Sequence, residues 1–287
     1  MKVHLVSFAT TYKDIGFQDT ELRQQRLIES AKQYGIHSFF SWTRQMLLKT
    51  DFYQQNKFIL DHKIGAGYWL WKPFIILDTL EKVAEGDIII YADNSMYFID
   101  NPMPLMDICI QENDILLFKH NNDSTLKKFV QKSTFDTMEA DYNLYKDRNM
   151  FEANILIFQK NQHALSFVKE WLMYCQNPMC LMENYQQENE NFKLHKHDMS
   201  ILSLLAQKYN INGYRVPHQY GNQHKMLAYR KEGEEIFKNE YHDINFDSHY
   251  TTIFQWDKDG VGCKRTFFQK INPVFIYYKL FYNKLGL

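Results

Sequence analysis

Short apolar runs alternate with longer amphipathic stretches through the first two thirds of the chain. The runs at residues 2–9, 38–42, 88–91, 114–118 and 153–158 are rich in Val, Ile, Leu and Phe and lie between polar or glycine-containing turns, which predicts strands. Helices are predicted over 22–34, 51–59, 73–83, 104–111, 163–174 and 198–209. The fifth of these carries Leu165, Val168, Trp171 and Leu172 on one face, the spacing of a helix laid on a core. Pro73 falls near a helix start, where its missing N–H costs nothing, and Asp198 puts an acid in the first turn of the last helix. Strand and helix in this alternation predict an α/β fold built on βαβ units. The polar, acid-rich stretch 177–191 reads as a surface loop. Neither an internal repeat nor a low-complexity linker divides the sequence, so we read one domain over residues 1–262 followed by a basic, aromatic tail over 263–287.

At 287 residues the chain can bury a real core. Its 33 Lys and Arg balance 34 Asp and Glu to a formal charge of −1, whereas a nucleic-acid reader would normally show a clear basic excess. Nucleic acid is therefore not an expected partner, and any cation-rich site must be local. Cys109, Cys175, Cys180 and Cys263 match no metal-ligand spacing and read as free thiols of a reducing compartment. The opening apolar run is too short for a signal peptide, and no stretch approaches the roughly eighteen apolar residues of a spanning helix. A cytoplasmic location is the expectation.

The segment from Gly65 to Ser95 carries the chemistry. It reads Gly-Ala-Gly-Tyr-Trp-Leu-Trp-Lys-Pro over 65–73, then an apolar helical stretch, then Gly-Asp-Ile-Ile-Ile-Tyr-Ala-Asp-Asn-Ser over 86–95. A buried strand ending on Asp93, with Lys72 delivered by the preceding helix, places one carboxylate and one cation beside a diphosphate. Each residue also has a plainer reading. Asp93 suits a strand-end turn, Lys72 can lay its stem over Trp69 and Trp71, Asp198 can cap its helix, and Glu152 can be an exposed strand residue. His195 and His197 lack a third ligand at zinc spacing.

These motifs together resemble the GT-A glycosyltransferases, in which an Asp-X-Asp element binds the ribose and a divalent cation on the donor diphosphate. Of that element only Asp93 is present, followed by Asn94 and Ser95. The order of further motifs is similar to the retaining enzymes of the glycogenin and lipooligosaccharide galactosyltransferase kind. By that resemblance Ala9, Thr10 and Tyr12 lie where uracil binds, Lys72 where a basic donor-binding residue stands, and Asn94 beside the nucleotide. Phe-Glu-Ala-Asn-Ile-Leu over 151–156 resembles a strand start facing the transferred sugar, which implicates Glu152 and Asn154. His-Asp-Met-Ser-Ile-Leu over 197–202 resembles a helix start touching sugar hydroxyls, which implicates Asp198. The resemblance implies Asp198 and Glu152 as catalytic carboxylates and a divalent cation, Mn²⁺ or Mg²⁺, at Asp93 and Ser95 with the late His224. Gly-Tyr-Trp-X-Trp-Lys-Pro, Gly-Asp-Ile-X-X-Tyr-X-Asp and His-X-His-Asp bring the chain nearest to bacterial capsule and O-antigen glycosyltransferases. A GT-A mixed sheet flanked by helices with a C-terminal helical extension, a UDP-hexose donor, galactose by preference, and a surface-polysaccharide or lipid-linked acceptor are the expectations that follow. The alternative is a glycan or nucleotide-sugar binder on the same fold that has lost turnover.

The tail adds one further expectation. From Lys264 onward it holds Lys264, Arg265, Lys270, Lys279 and Lys284 with no acidic residue, among Phe267, Phe268, Phe275, Tyr277, Tyr278, Phe281 and Tyr282. Cations interleaved with aromatic rings suit peripheral contact with an anionic membrane surface, and a C-terminal helix packed on the domain is the competing reading.

Overall fold

The computed structural model describes residues 1–10, 20–111, 114–120, 124–185, 188–218, 250 and 253–256. Among these, the strands are β1 (Val3–Ala9), β2 (Ser38–Thr43), β3 (Ile88–Ala92), β4 (Met96–Phe98), β5 (Ile115–Lys119), β6 (Ile155–Gln159), β7 (Gly213–Arg215) and β8 (Phe254–Trp256). The five long helices are α1 (Thr20–Lys32), α2 (Trp71–Lys82), α3 (Met103–Gln111), α4 (Gln162–Cys175) and α5 (Asp198–Lys208).

Six strands form one mixed sheet in the order β2-β1-β3-β6-β5-β7. Strands β2, β1 and β3 are parallel, β6 runs antiparallel to both β3 and β5, and β7 is parallel to β5. Strands β4 and β8 pair as a separate antiparallel ribbon.

All five residues of β3 are buried because helices cover both faces of the sheet. Alternation along the strand sends Ile89 and Tyr91 toward α2, α4 and α5, where Ile75, Phe167, Trp171 and Ile201 wait, and sends Ile88 and Ile90 toward Leu27 of α1 and Leu105 of α3. Layered α/β architecture with a mixed central sheet flanked by helices is thus as the sequence leads one to expect. Because β1, β3, β5 and β7 point the same way and β6 starts where they end, one edge of the sheet gathers residues 9–10, 93–95, 120 and 152–154. In open α/β sheets ligands bind outside that edge.

Two local expectations are corrected. The helix expected over 51–59 is broken into Asp51–Gln55 and Lys57–Leu60 by Asn56, at φ −115° and ψ 19°. The Asn56 amide donates to the Phe52 carbonyl and accepts from Gln176, so one local and one tertiary bond hold the break. The stretch expected as a surface loop begins with a short helix, Pro178–Leu181, whose Cys180 and Leu181 are fully buried. Cys109, Cys175 and Cys180 are free and buried, while Cys263 and the whole basic tail lie outside the described residues. No helix among the described residues is long and apolar enough to cross a membrane.

Candidate active site

Lys72, in the first turn of α2, meets Asp198, the first residue of α5, beneath the open edge of the sheet. Its Nζ lies 3.1 Å from Asp198 Oδ2 and 3.7 Å from Asp93 Oδ1, and donates to the Ala153 carbonyl at 2.8 Å. Three residues singled out from sequence are thereby brought together. Only 4% of the Lys72 side chain is exposed, so it is not a surface cation snorkelling past its tryptophans. The Asp198 carboxylate turns inward to Lys72, and the residue in the cap position is His197, which makes no side-chain capping bond. Behind it, the Trp171 indole donates to the Asp198 carbonyl at 3.1 Å.

Asp93 sits higher, with its side chain 32% exposed. The Tyr91 hydroxyl donates to Oδ1 at 2.5 Å, and the Asp93 backbone N–H donates to the Asn154 carbonyl at 2.9 Å. Both side-chain contacts fall on Oδ1. Tyr91 escaped the sequence reading although its signal was present: residues i and i+2 of a strand share a face. The Asn94 amide donates to the Phe8 carbonyl at 2.8 Å, tying this turn to the end of β1. Ser95 is half-buried in the same turn.

Two carboxylates around one ammonium leave a cluster of net charge −1, which favours bound protons. Burial pulls the Lys72 ammonium down, but Asp198 and Asp93 outweigh it and its pKa stands above the ordinary 10.5. Burial pushes Asp198 up to about 6 against the pull of Lys72. Burial, reinforced by the Asp93 charge, holds the Tyr91 phenol well above 10, so it remains a donor.

Magnesium-like ions are held by one or two carboxylates plus substrate phosphates, and the partly exposed carboxylate of Asp93, with half-buried Ser95 two residues on in the same turn, fits that donor set. No group of three His, Cys, Asp or Glu side chains that could hold a metal by itself occurs among the described residues. His224 and Tyr12 lie outside them.

At the end of β1, Ala9 is buried and the Thr10 carbonyl accepts from the Thr20 hydroxyl at 2.5 Å. At the start of β6, Asn154 is buried with its Oδ1 lacking any hydrogen-bond partner, a costly state that a ligand hydroxyl would relieve. Glu152 is half-buried, its Oε1 3.4 Å from Nε2 of His120 at the end of β5. His218, just past β7, is buried, and that burial takes its imidazole down to about 4 despite the opposing pull of Glu152. His120 was missed by sequence reasoning; its one signal is its place directly after a strand that ends on the open edge. His195 and His197 form no zinc pair. His195 is fully buried, and Nδ1 of His197 lies 2.9 Å from the Leu181 carbonyl.

The glycine-aromatic motif is explained by backbone. Gly65, Ala66, Gly67, Tyr68 and Trp69 hold φ of 52°, 57°, 101°, 53° and 60°, a left-handed turn directly ahead of α2. Such a conformation costs about 1–2 kcal/mol for each non-glycine residue. Glycine is required twice, because a Cβ at 65 would stand 2.3 Å from the Trp69 ring and one at 67 would stand 2.5 Å from Leu60 Cα. Arg44 donates to the Ala66 and Leu60 carbonyls and the Trp71 indole donates to the Gly65 carbonyl, fastening the turn. Trp71 itself is core, stacked on Phe8 at 4.0 Å.

No family model and no curated protein matches the chain. Among solved structures it is similar to mouse xyloside xylosyltransferase 1, with 8% identity over 90% of this chain and 98% of that one at a TM-score of 0.45. The bifunctional glycosyltransferase WbbM is 12% identical over 71% of this chain and 37% of that one, TM-score 0.41. A glycosyltransferase involved in glycosylation of the major capsid of PBCV-1 is 11% identical over 68% of this chain and 81% of that one, TM-score 0.33.

Proposed function

We propose that this chain is a GT-A glycosyltransferase that moves a hexose from a nucleotide-sugar donor to a glycan acceptor. The observation that carries the reading is the half-open Asp93 carboxylate standing over the buried Lys72–Asp198 pair at the ligand-binding edge of the sheet. Asp93 and Ser95 would hold a divalent cation against the donor diphosphate. Such a cation, when bound, stabilises the charge that develops on the leaving group. The chain's own residues do the rest. Lys72 fixes both aspartates and the Ala153 carbonyl in one arrangement, so that Asp93 presents its carboxylate without reorganising. Asn154 offers its amide to a sugar hydroxyl. Glu152, beside His120, would orient the sugar or take a proton from the acceptor.

The donor we favour is UDP-galactose, the acceptor a surface-polysaccharide or lipid-linked glycan, and the stereochemical outcome retention; the motif order supports all three by resemblance. Residues 263–287, by composition, would bring the enzyme to an anionic membrane surface where a lipid-linked acceptor is presented. The test is a screen of UDP-hexoses with purified protein and Mn²⁺, reading UDP release without acceptor. Slow hydrolysis of at least one donor is expected. Affinity for UDP-sugars with no turnover, with or without candidate acceptors, would make the chain a binder. Glu152→Gln should lower transfer while leaving UDP affinity unchanged, and a lost affinity would move Glu152 into the nucleotide site.

A further inference from the structure

Two strained backbone segments meet at one imidazole. The left-handed turn through Trp69 stands directly ahead of α2 and Lys72, and His197, at φ 52° and ψ −119°, stands directly ahead of α5 and Asp198. The His197 ring lies over Trp69, centroids 5.8 Å apart and planes 25° from parallel, and against Tyr68 at 4.8 Å. Its Nδ1 is 2.9 Å from the Leu181 carbonyl, its Nε2 is 3.7 Å from Glu183, and the Tyr68 hydroxyl lies 3.4 Å from the same glutamate. Glycine would hold this dihedral with less strain. A histidine there makes sense for what its ring does. Strained conformations persist where the surroundings over-determine them, and they cluster at sites that need fixed geometry.

We propose that His197 is a positioning residue whose ring latches the Gly65–Trp69 turn to the start of α5 and thereby holds Lys72 against Asp198. It touches no reacting atom. Lys72 and Asp198 come from distant parts of the sequence, and each enters the site on the residue side of a strained turn. Packing the two turns on one ring fixes their separation, and with it the 3.1 Å pair. The consequence for turnover rests on the glycosyltransferase reading; the consequence for the pair does not.

Two substitutions in the full chain separate the ring from the backbone. His197→Asn tolerates positive φ, keeps a polar group for the Leu181 carbonyl and lacks the ring. His197→Phe keeps the ring and lacks the hydrogen bond. Exposure of Lys72 is read by brief acetylation with acetic anhydride and mass spectrometry, alongside thermal melting, UDP affinity and kcat for donor hydrolysis. His197→Asn should melt near wild type and bind UDP normally, yet acetylate several times faster at Lys72 and lose about 100-fold in kcat, the scale of a misplaced catalytic group. His197→Phe should keep Lys72 protected and kcat near wild type. A protected Lys72 with normal kcat in His197→Asn, or a His197→Phe as impaired as His197→Asn, overturns the latch. Should His197→Asn not fold, His197→Phe decides alone: a protected Lys72 supports the latch and an exposed one overturns it. If the wild type turns over no UDP-sugar, the acetylation still tests the pair, and the functional reading fails separately.

Discussion

Strand β3 carries an aspartate at each end, and the two have opposite surroundings. Asp87, just ahead of the strand, accepts from the Lys2 N–H on one oxygen at 2.7 Å and faces His4 Nε2 with the other at 3.1 Å; His4 in turn meets the Ser38 hydroxyl at 2.7 Å. Burial opposes its charge, but these hydrogen bonds hold it below the ordinary 3.8. Asp93, just past the strand, meets Tyr91 and Lys72 on a single oxygen and keeps its side chain 32% exposed. One carboxylate is closed on both oxygens and the other is half open. From sequence alone both are strand-end aspartates suited to a turn; what separates them is the end of the sheet they occupy. Carboxyl ends of parallel strands open on a crevice, and the amino ends are free to be sealed for stability.

The largest effect should come from removing the cation that the open end depends on. Lys72→Met leaves Asp198 buried without its partner, and breaking a buried pair from one side costs about 3–5 kcal/mol. Urea unfolding should show a loss of that order together with lost turnover. Unchanged stability would mean that Asp198 simply takes up a proton, and the pair would then serve the reaction alone.

Asp93→Asn should separate the two ends of β3 cleanly. It keeps the shape of the side chain and spares the Lys72–Asp198 pair, so the melting temperature should hold. Donor hydrolysis should fall by about 10²–10³, the 2.7–4 kcal/mol or so of one lost preorganised contact. Retention of most of the rate would remove Asp93 from the site. Asp87→Asn should do the reverse, lowering stability by about 1–3 kcal/mol through loss of hydrogen bonds to a charged group, with kcat/KM unchanged. A folded Asp87→Asn that had lost turnover would break the contrast.

The main βαβ elements were legible because apolar period and burial agree along β1, β3, β6 and α4. Short elements were not. Strands β4, β7 and β8 are three residues each, too brief for a period to register, and their partners lie far along the chain. Asn56 breaks a helix with one bond from Gln176 that no local pattern contains. Within the site, Lys72, Asp93 and Asp198 were legible one by one from residue type and place. Their union was not, because it depends on the left-handed turn and on His197, whose strain has no compositional mark beyond Gly65 and Gly67. The enclosure of Lys72 likewise could not be read from a lysine that follows two tryptophans, a pattern equally suited to a surface stem.

The smallest and most discriminating effect should lie in pH. With Asp198 raised to about 6, the folded protein holds a proton there more tightly than the unfolded chain, whose carboxylate titrates near 3.8. The stability contribution of this group therefore increases as pH falls from about 6 toward 3.8. Asp87 is lowered, so its contribution is present above 3.8 and is lost only as pH falls through its folded pKa below that. Neither group weakens the fold between pH 7 and 5. Over the same interval Asp198 discharges, Lys72 loses one of its two anionic partners, and turnover should show an acid limb near pH 6. Melting curves and donor-hydrolysis rates taken in the same buffers test this together. The rate should bend near pH 6 while the melting temperature holds, and Asp198→Asn should lack the bend. A melting temperature that falls with the rate would assign the limb to unfolding, and a bend that survives in Asp198→Asn would assign it to another group.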